Sequence, residues 1–185
     1  DTVELAVKSI LNQSWNNLEL IVIDDCSTDM TWQILQTLAE SDSRMKIRRQ
    51  SINSGPYVAK NIGLSLASGD YVTGQDADDI AMPNRLERQI APLLDDTSKQ
   101  ASLGEMIRLD PHGRFSHASR IGSFSRDGIA RIASISLLIE RRILVDRLGF
   151  WDTARFGADS EMIARAIKLL GDKLVFQNEL TMLCL

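Results

Sequence analysis

The sequence predicts an α/β domain with a mostly parallel sheet flanked by helices on both faces. Three observations carry this. Up to about residue 95, segments with apolar residues at helical spacing alternate with short apolar runs that read as strands. Turn and cap residues stand at the junctions, as in "SWNN", "STD" and "NSGP". Two strand-like runs end on carboxylates, Asp24-Asp25 and Asp76-Ala77-Asp78-Asp79, and open α/β sheets gather ligands beyond their strands' carboxyl ends. A length of 185 residues suits one domain with a sizeable core, and an apolar fraction of 44% is ordinary for a globular chain.

Taken in order, Asp1 with Glu4 reads as a capping box, and Val3, Ala6, Val7, Ile10 and Leu11 share one helical face. "LELIVI" (Leu18 to Ile23) reads as a buried strand. The helix opened by "STD" carries Ile34, Leu35, Leu38 and Ala39 on its apolar side, and "MKIRRQ" is a more exposed strand. In "NSGP", Ser54 is the expected N-cap with Pro56 in the first turn; Val58, Ala59, Ile62 and Leu66 form the face, and Gly69 stops the helix. Tyr71 to Gln75 is the next strand, and Pro83 starts a helix with Leu86, Ile90 and Leu93 inward. Beyond residue 95 the texture changes. "DDTSKQ" is a polar turn, and Ser102 to Gly128 reads as short strands and loops. "ASISLLIE" is a strand, "RRILVDRLG" a short helix, and "FWDTARFGADSE" a long loop feeding a helix from about Ser160 to Leu170.

A formal net charge of −4 excludes the strongly basic footprint of a nucleic-acid binder. No apolar run reaches the about 18 residues of a membrane span, and the start is amphipathic rather than a signal peptide. Cys26 and Cys184, two cysteines far apart, read as a reduced pair in a cytoplasmic protein. Any membrane association is expected to come from regions outside this chain. His112 and His117 have no zinc spacing and read as loop residues, and "RRILVDR" reads as a solvated helix face. The chain opens on Asp1 rather than Met, directly in helical sequence, which suggests a fragment of a longer protein.

The stretch "DYVTGQDADDIAMP" concentrates the chemistry. Each like-charged pair among Asp76, Asp78 and Asp79 costs about 4 kcal/mol at roughly 4 Å and an effective dielectric of about 20. Either the carboxylates turn apart into water or a cation or protons offset the repulsion. A turn and helix cap explains one Asp well and three poorly. Oxygen-rich sites suit Mg²⁺ or Mn²⁺, which complete their shells with substrate phosphates. Two aspartyl-phosphate chemistries compete, a haloacid-dehalogenase-like phosphatase and a phospho-receiver domain. The first expects its D-x-D near the chain start, the second a lone middle Asp, and neither accounts for both acidic ends. Asp25 also serves as a turn residue for "CSTD", Asp159 as a helix cap, Glu161 as a first-turn charge, and Trp151 with Asp152 as a loop anchor.

Four ordered blocks, "SILNQSWNNLELIVIDDCSTD", "NSGPYVAKNIGLSLASGDYV", "DADD…MPNRLERQ" and "RFGADSEM", together resemble family 2 glycosyltransferases of the GT-A fold. The resemblance runs from about Val3 to the chain end. It implies Asp25 beside the nucleotide base, Lys60 and Asn61 beside the nucleotide, Asp76 near the ribose and Asp78 on the metal, the two forming the family's D-x-D. It also implies Asp159 as catalytic base, with Trp151, Asp152 and Glu161 on the acceptor side. Asp79 is left as a supporting or cap residue. The implied reaction is inverting transfer from a nucleotide-diphosphate donor, a UDP-sugar, to a glycan or lipid-linked acceptor, in polysaccharide or glycoconjugate biosynthesis.

The expectation is thus a single domain over 1–185, with a nucleotide-sugar half at 1–95 and an acceptor half at 96–185. Three departures stand out. The family's first strand is lacking, which should leave a slot in the core, so a non-catalytic remnant stays open as an alternative. Cys26 replaces a usual Gly, tolerable where the backbone is not at positive φ. Ile80 replaces a frequent Trp on the substrate side.

Overall fold

The computed structural model describes residues 2–110, 112–116, 125, 127–154 and 156–185. Asp1, and with it the capping box, and His117 lie outside the described residues. Helix α1 (Thr2–Leu11), strand β1 (Leu20–Asp24), helix α2 (Thr31–Ser41), strand β2 (Met45–Arg49) and helix α3 (Pro56–Leu66) alternate as the patterning predicts. Strands β3 (Tyr71–Val72) and β4 (Asp79–Ala81) flank the acidic turn, and helix α4 spans Arg85–Asp95. The second half adds β5 (Ala101–Arg108), β6 (Arg131–Ile132), β7 (Leu138–Glu140), one helical turn α5 (Arg141–Ile143), helix α6 (Ala158–Leu170) and β8 (Leu174–Cys184).

The strands form two sheets, β1-β2 and β3-β7-β5-β8-β4, with β6 on the edge of β5. The α/β expectation holds, and the strand directions are mixed. The longest ladders, β1 on β2 and β5 on β8, are parallel, whereas β3–β7, β4–β8, β5–β6 and β5–β7 are antiparallel. Both β1 and β5 carry helices on both faces. Leu20 and Val22 of β1 join Val3 and Val7 of α1 and Leu35 of α2. On the other face Ile23 packs against α3, where a Cβ on Gly63 would lie 3.7 Å from it, at ordinary van der Waals contact. Ala101 and Leu103 of β5 pack with Met162, Ile163, Ala166 and Leu170 of α6. Between them Ser102 turns the opposite way and donates to Gln89 O on α4 at 2.7 Å. That is period-2 alternation with a helix on each side.

The two sheets face each other across a cavity of about 1100 Å³, lined by β1 on one wall, residues 71–77 on the other, and Val3, Val7 and Ile10 of α1. The core slot expected from the sequence is present, and it leaves Leu20 to Ile23 half-buried.

Several local expectations are corrected. Ser54 is not the cap of α3: Gly55, at φ 93°, takes the N-cap position and Ser54 turns its N–H to Asp25. The buried face of α3 is Tyr57, Ala59 and Leu64, while Leu66 is 42% exposed. Apolar residues ring that helix, so the pattern alone offered two stripes. Strand β3 is only Tyr71–Val72, and α4 begins two residues after Pro83, where Gln13, two residues past the end of α1, supplies Oε1 to the Leu86 N–H at 3.0 Å. Pro92 sits inside α4, and the Arg88 carbonyl it leaves unpartnered accepts from Gln177 of β8 at 2.6 Å. "ASISLLIE" contributes only β7 plus a tight turn at Ser134–Ser136. The stretch after Ser102 holds β5, a strand buried from Ala101 to Met106. Gly104 is required there, because a Cβ would lie 2.1 Å from Thr181 Cγ2 on β8. Both cysteines are free, as expected.

Candidate active site

The site is built on the ends of β1 and β3 and the starts of α3 and α6. Asp24, the last residue of β1, is buried; its carboxylate takes the N–H and hydroxyl of Ser27 and lies 3.0 Å from Arg49 Nε. Asp24, not Asp25, therefore serves "CSTD" as the turn residue. Asp25 reaches across to the "NSGP" loop, accepting from Gln50 Nε2 at 2.6 Å, Ser54 N at 2.8 Å and Gly55 N at 2.7 Å. Cys26 follows at φ 65°, the one non-glycine residue at positive φ among the described residues. The departure from Gly thus falls where glycine is favoured.

Asp76, Lys60 and Asp159 converge. Lys60 Nζ lies 3.1 Å from Asp76 Oδ1 and 3.4 Å from Asp159 Oδ1. Tyr57, one helical turn before Lys60, donates its hydroxyl to Asp159 Oδ2 at 3.1 Å, and its ring lies 4.8 Å beneath the Lys60 ammonium. Burial and the neighbouring Asp159 charge push the Tyr57 phenol up, so it stays a donor. Sequence reasoning missed Tyr57; its spacing of three from Lys60 on one helix face was the available signal. Asp159 sits in the first turn of α6, behind Gly157 at the N-cap, and the cap itself has no side-chain hydrogen bond. The helix-cap reading of Asp159 gives way to these contacts with α3.

The other predicted residues divide. Asp78 is exposed on the turn between β3 and β4. Asp79 is not a cap: it opens β4, is 5% exposed, and burial beside Asp76 and Asp78 pushes its carboxyl up to about 6. The Asn61 amide is spent on the Trp151 backbone, donating to its O at 2.8 Å and accepting from its N at 2.9 Å. Asn61 thus pins to α3 the loop that leads to Asp159. Asp152 accepts from Ala154 N at 2.8 Å in a local turn. Glu161 is paired with Arg165 at 2.6 Å, and that arginine also holds the carbonyls of Leu148 and Phe150. Asp25, Lys60, Asp76 and Trp151 all line the cavity between the sheets.

A mixed α/β sheet with acidic strand ends gathered beside a large cavity is the frame of a ligand-binding α/β domain, and the solved structures that superpose on it give its fold as GT-A. Comparison with known proteins narrows it: the glycosyl transferase family 2 profile matches residues 1–147. The chain belongs to glycosyl transferase family 2. A glycosyltransferase of Haemophilus influenzae is 45% identical over 84 residues, which is 45% of this chain and 34% of that protein. The succinoglycan biosynthesis protein ExoO of Rhizobium meliloti is 28% identical over 190 residues, covering 90% of this chain and 52% of that protein. The chain therefore spans about a third to a half of these relatives' length. TarS of S. aureus (residues 1–349), solved with UDP-GlcNAc, superposes with TM-score 0.77 at 19% identity, over 98% of this chain and 54% of that one. The mannosyltransferase PcManGT of Pyrobaculum calidifontis, solved with GDP-Man and Mn²⁺, gives 0.68 at 22% identity, over 97% and 52%. No helix among the described residues is long and apolar enough to cross a membrane.

Proposed function

We propose that this domain transfers a sugar from a UDP-sugar to a glycan or lipid-linked acceptor, with inversion, in polysaccharide biosynthesis. The observation that carries the reading is the meeting of Asp76 and Asp159, from opposite halves of the chain, on one ammonium, Lys60. Residues 1–95 would bind the donor and 96–185 the acceptor. Family membership removes the ground from the aspartyl-phosphate alternatives.

In this reading Asp159 is the general base. It takes the proton of the acceptor hydroxyl as that oxygen bonds to the anomeric carbon; the bond to the donor diphosphate breaks and its electron pair leaves with the phosphate. Tyr57 on Oδ2 and Lys60 on Oδ1 hold the Asp159 carboxylate in place, and each oxygen keeps a further lone pair with which to accept. Lys60, already between two carboxylates, offers its charge to the diphosphate when the donor enters. Asp25 stands at the base end of the cavity, and Trp151 on the acceptor side.

The donor set suits a hard divalent cation. Asp76 and Asp78 present carboxylate oxygens on an accessible turn, the donor type Mg²⁺ or Mn²⁺ takes from one or two protein carboxylates beside substrate phosphates. When bound, the cation stabilises charge developing on the leaving diphosphate.

Support for the donor class comes from the UDP-GlcNAc complex of TarS, and for the metal from the Mn²⁺ complex of PcManGT. The test is calorimetric titration with UDP, with Mn²⁺ and then with EDTA. Metal-dependent binding is expected, lost in Asp78→Ala. Absence of binding in both conditions would sink the donor-site reading and favour the remnant.

A further inference from the structure

Arg85 is the largest of the fully buried side chains, with none of its surface exposed. Its four hydrogen bonds all end on neutral oxygens. Nη1 donates to Gln75 Oε1 at 2.6 Å, Nη2 to Thr73 Oγ1 at 2.7 Å and to Gly74 O at 2.8 Å, and Nε to Gln89 Oε1 at 3.0 Å. Removing a guanidinium from water without a carboxylate bound to it is costly, and an apolar side chain of like volume would fill such a core more cheaply. What the guanidinium supplies is its rigid fork.

The fork points at one place. Three of its four acceptors belong to Thr73, Gly74 and Gln75, the residues running directly into Asp76. Gln75 then passes the contact over the acidic turn, its Nε2 donating to Asp79 O at 2.6 Å. Both ends of the Asp76–Asp78 segment are therefore tied to a single side chain on α4. Among the described residues the turn is otherwise held by a long hydrogen bond, Asp79 N to Asp76 O at 3.3 Å, and by Lys60 on the Asp76 carboxylate at 3.1 Å. Arg85 is in turn fixed by Gln89, which is fully buried and donates to Ser136 O at 2.8 Å. Gly74 lets this segment lie close against the Ser134–Ser136 turn, since a Cβ there would lie 2.8 Å from Ile135 O.

We propose that Arg85, acting through Gln75, is the positioning device that holds the Asp76–Asp78 turn in the shape that receives a metal–diphosphate. The proposal rests on the donor-site reading above, and its test separates the two. Gln75→Ala cuts the relay at a half-buried side chain; Arg85→Lys keeps the charge and loses the fork. In the full-length protein, amide exchange of the 75–80 segment, measured in EDTA without nucleotide, should quicken at least tenfold in both variants, with β1 and α6 unchanged. Mn²⁺-dependent affinity for UDP should fall at least tenfold, with metal-free affinity unmoved. If Arg85→Lys fails to fold, Gln75→Ala alone decides. Exchange within twofold of wild type in a folded Gln75→Ala protein overturns the proposal. Quickened exchange in the variant, with no metal-dependent UDP binding even in wild type, keeps the clamp and sinks the donor-site reading.

Discussion

Asp79 should make this protein less stable as pH rises, opposite to the usual carboxylate. Its folded pKa is about 6 against 3.8 for the free group, chiefly because burial at the start of β4 disfavours the charge and because Asp76 and Asp78 lie near. The folded state therefore binds more protons than the unfolded one between these values. Protonation favours folding below about pH 3.8, and that advantage is lost as pH climbs through about 6. At about 1.4 kcal/mol per pKa unit, the gap is about 3 kcal/mol, an order-of-magnitude figure. Asp79→Asn keeps the shape and removes the charge. Urea unfolding in EDTA at several pH values between 4 and 7.5 reads the effect. The variant's stability relative to wild type should rise across that window by about 2–3 kcal/mol. Exposed or ion-paired carboxylates held low, such as Glu19 and Asp42 at about 2, titrate below it and cancel in the difference. A difference that stays flat with pH, or falls, would refute the claim that a desolvated Asp79 carries this cost.

Three further outcomes are expected. Asp159→Asn should lower kcat for sugar transfer by about 10²–10⁴ while leaving UDP affinity unchanged, since only the proton acceptor is removed; retained turnover would remove the base assignment. Gly104→Ala should destabilise by at least about 1–3 kcal/mol in chemical denaturation, because the new methyl meets Thr181 at 2.1 Å and β5 must part from β8. An unchanged midpoint would mean that the register shift of the β5–β8 ladder between Leu103 and Glu105 absorbs it. Cys26→Gly should stabilise by about 0.5–1 kcal/mol, the left-handed cost at φ 65° outweighing glycine's backbone entropy; a loss of stability would show that the Cys26 side chain contributes more than its strain.

What the sequence made legible is what local period and turn chemistry encode. "LELIVIDD" declared both the strand and its acidic end, and Leu86, Ile90 and Leu93 declared the inward face of α4, now buried. Strand β5 stayed hidden because Ser102 and Gly104 are loop-like residues by propensity. They are small for a tertiary reason: one bonds α4 and the other clears Thr181. The same limit governed the site. Asp76, Lys60 and Asp159 could be picked out from the sequence, but neither Tyr57 nor the pairing of Lys60 with both carboxylates could, since those contacts form only when α3 meets α6 and the acidic turn. Arg85 is the sharpest case. It stands in "MPNRLERQ" beside the apolar positions Leu86, Ile90 and Leu93 of an ordinary amphipathic helix, and nothing in that local pattern marks Arg85 or Gln89 as buried. Only the fold turns that face inward, where the same two side chains become the support of the acidic turn.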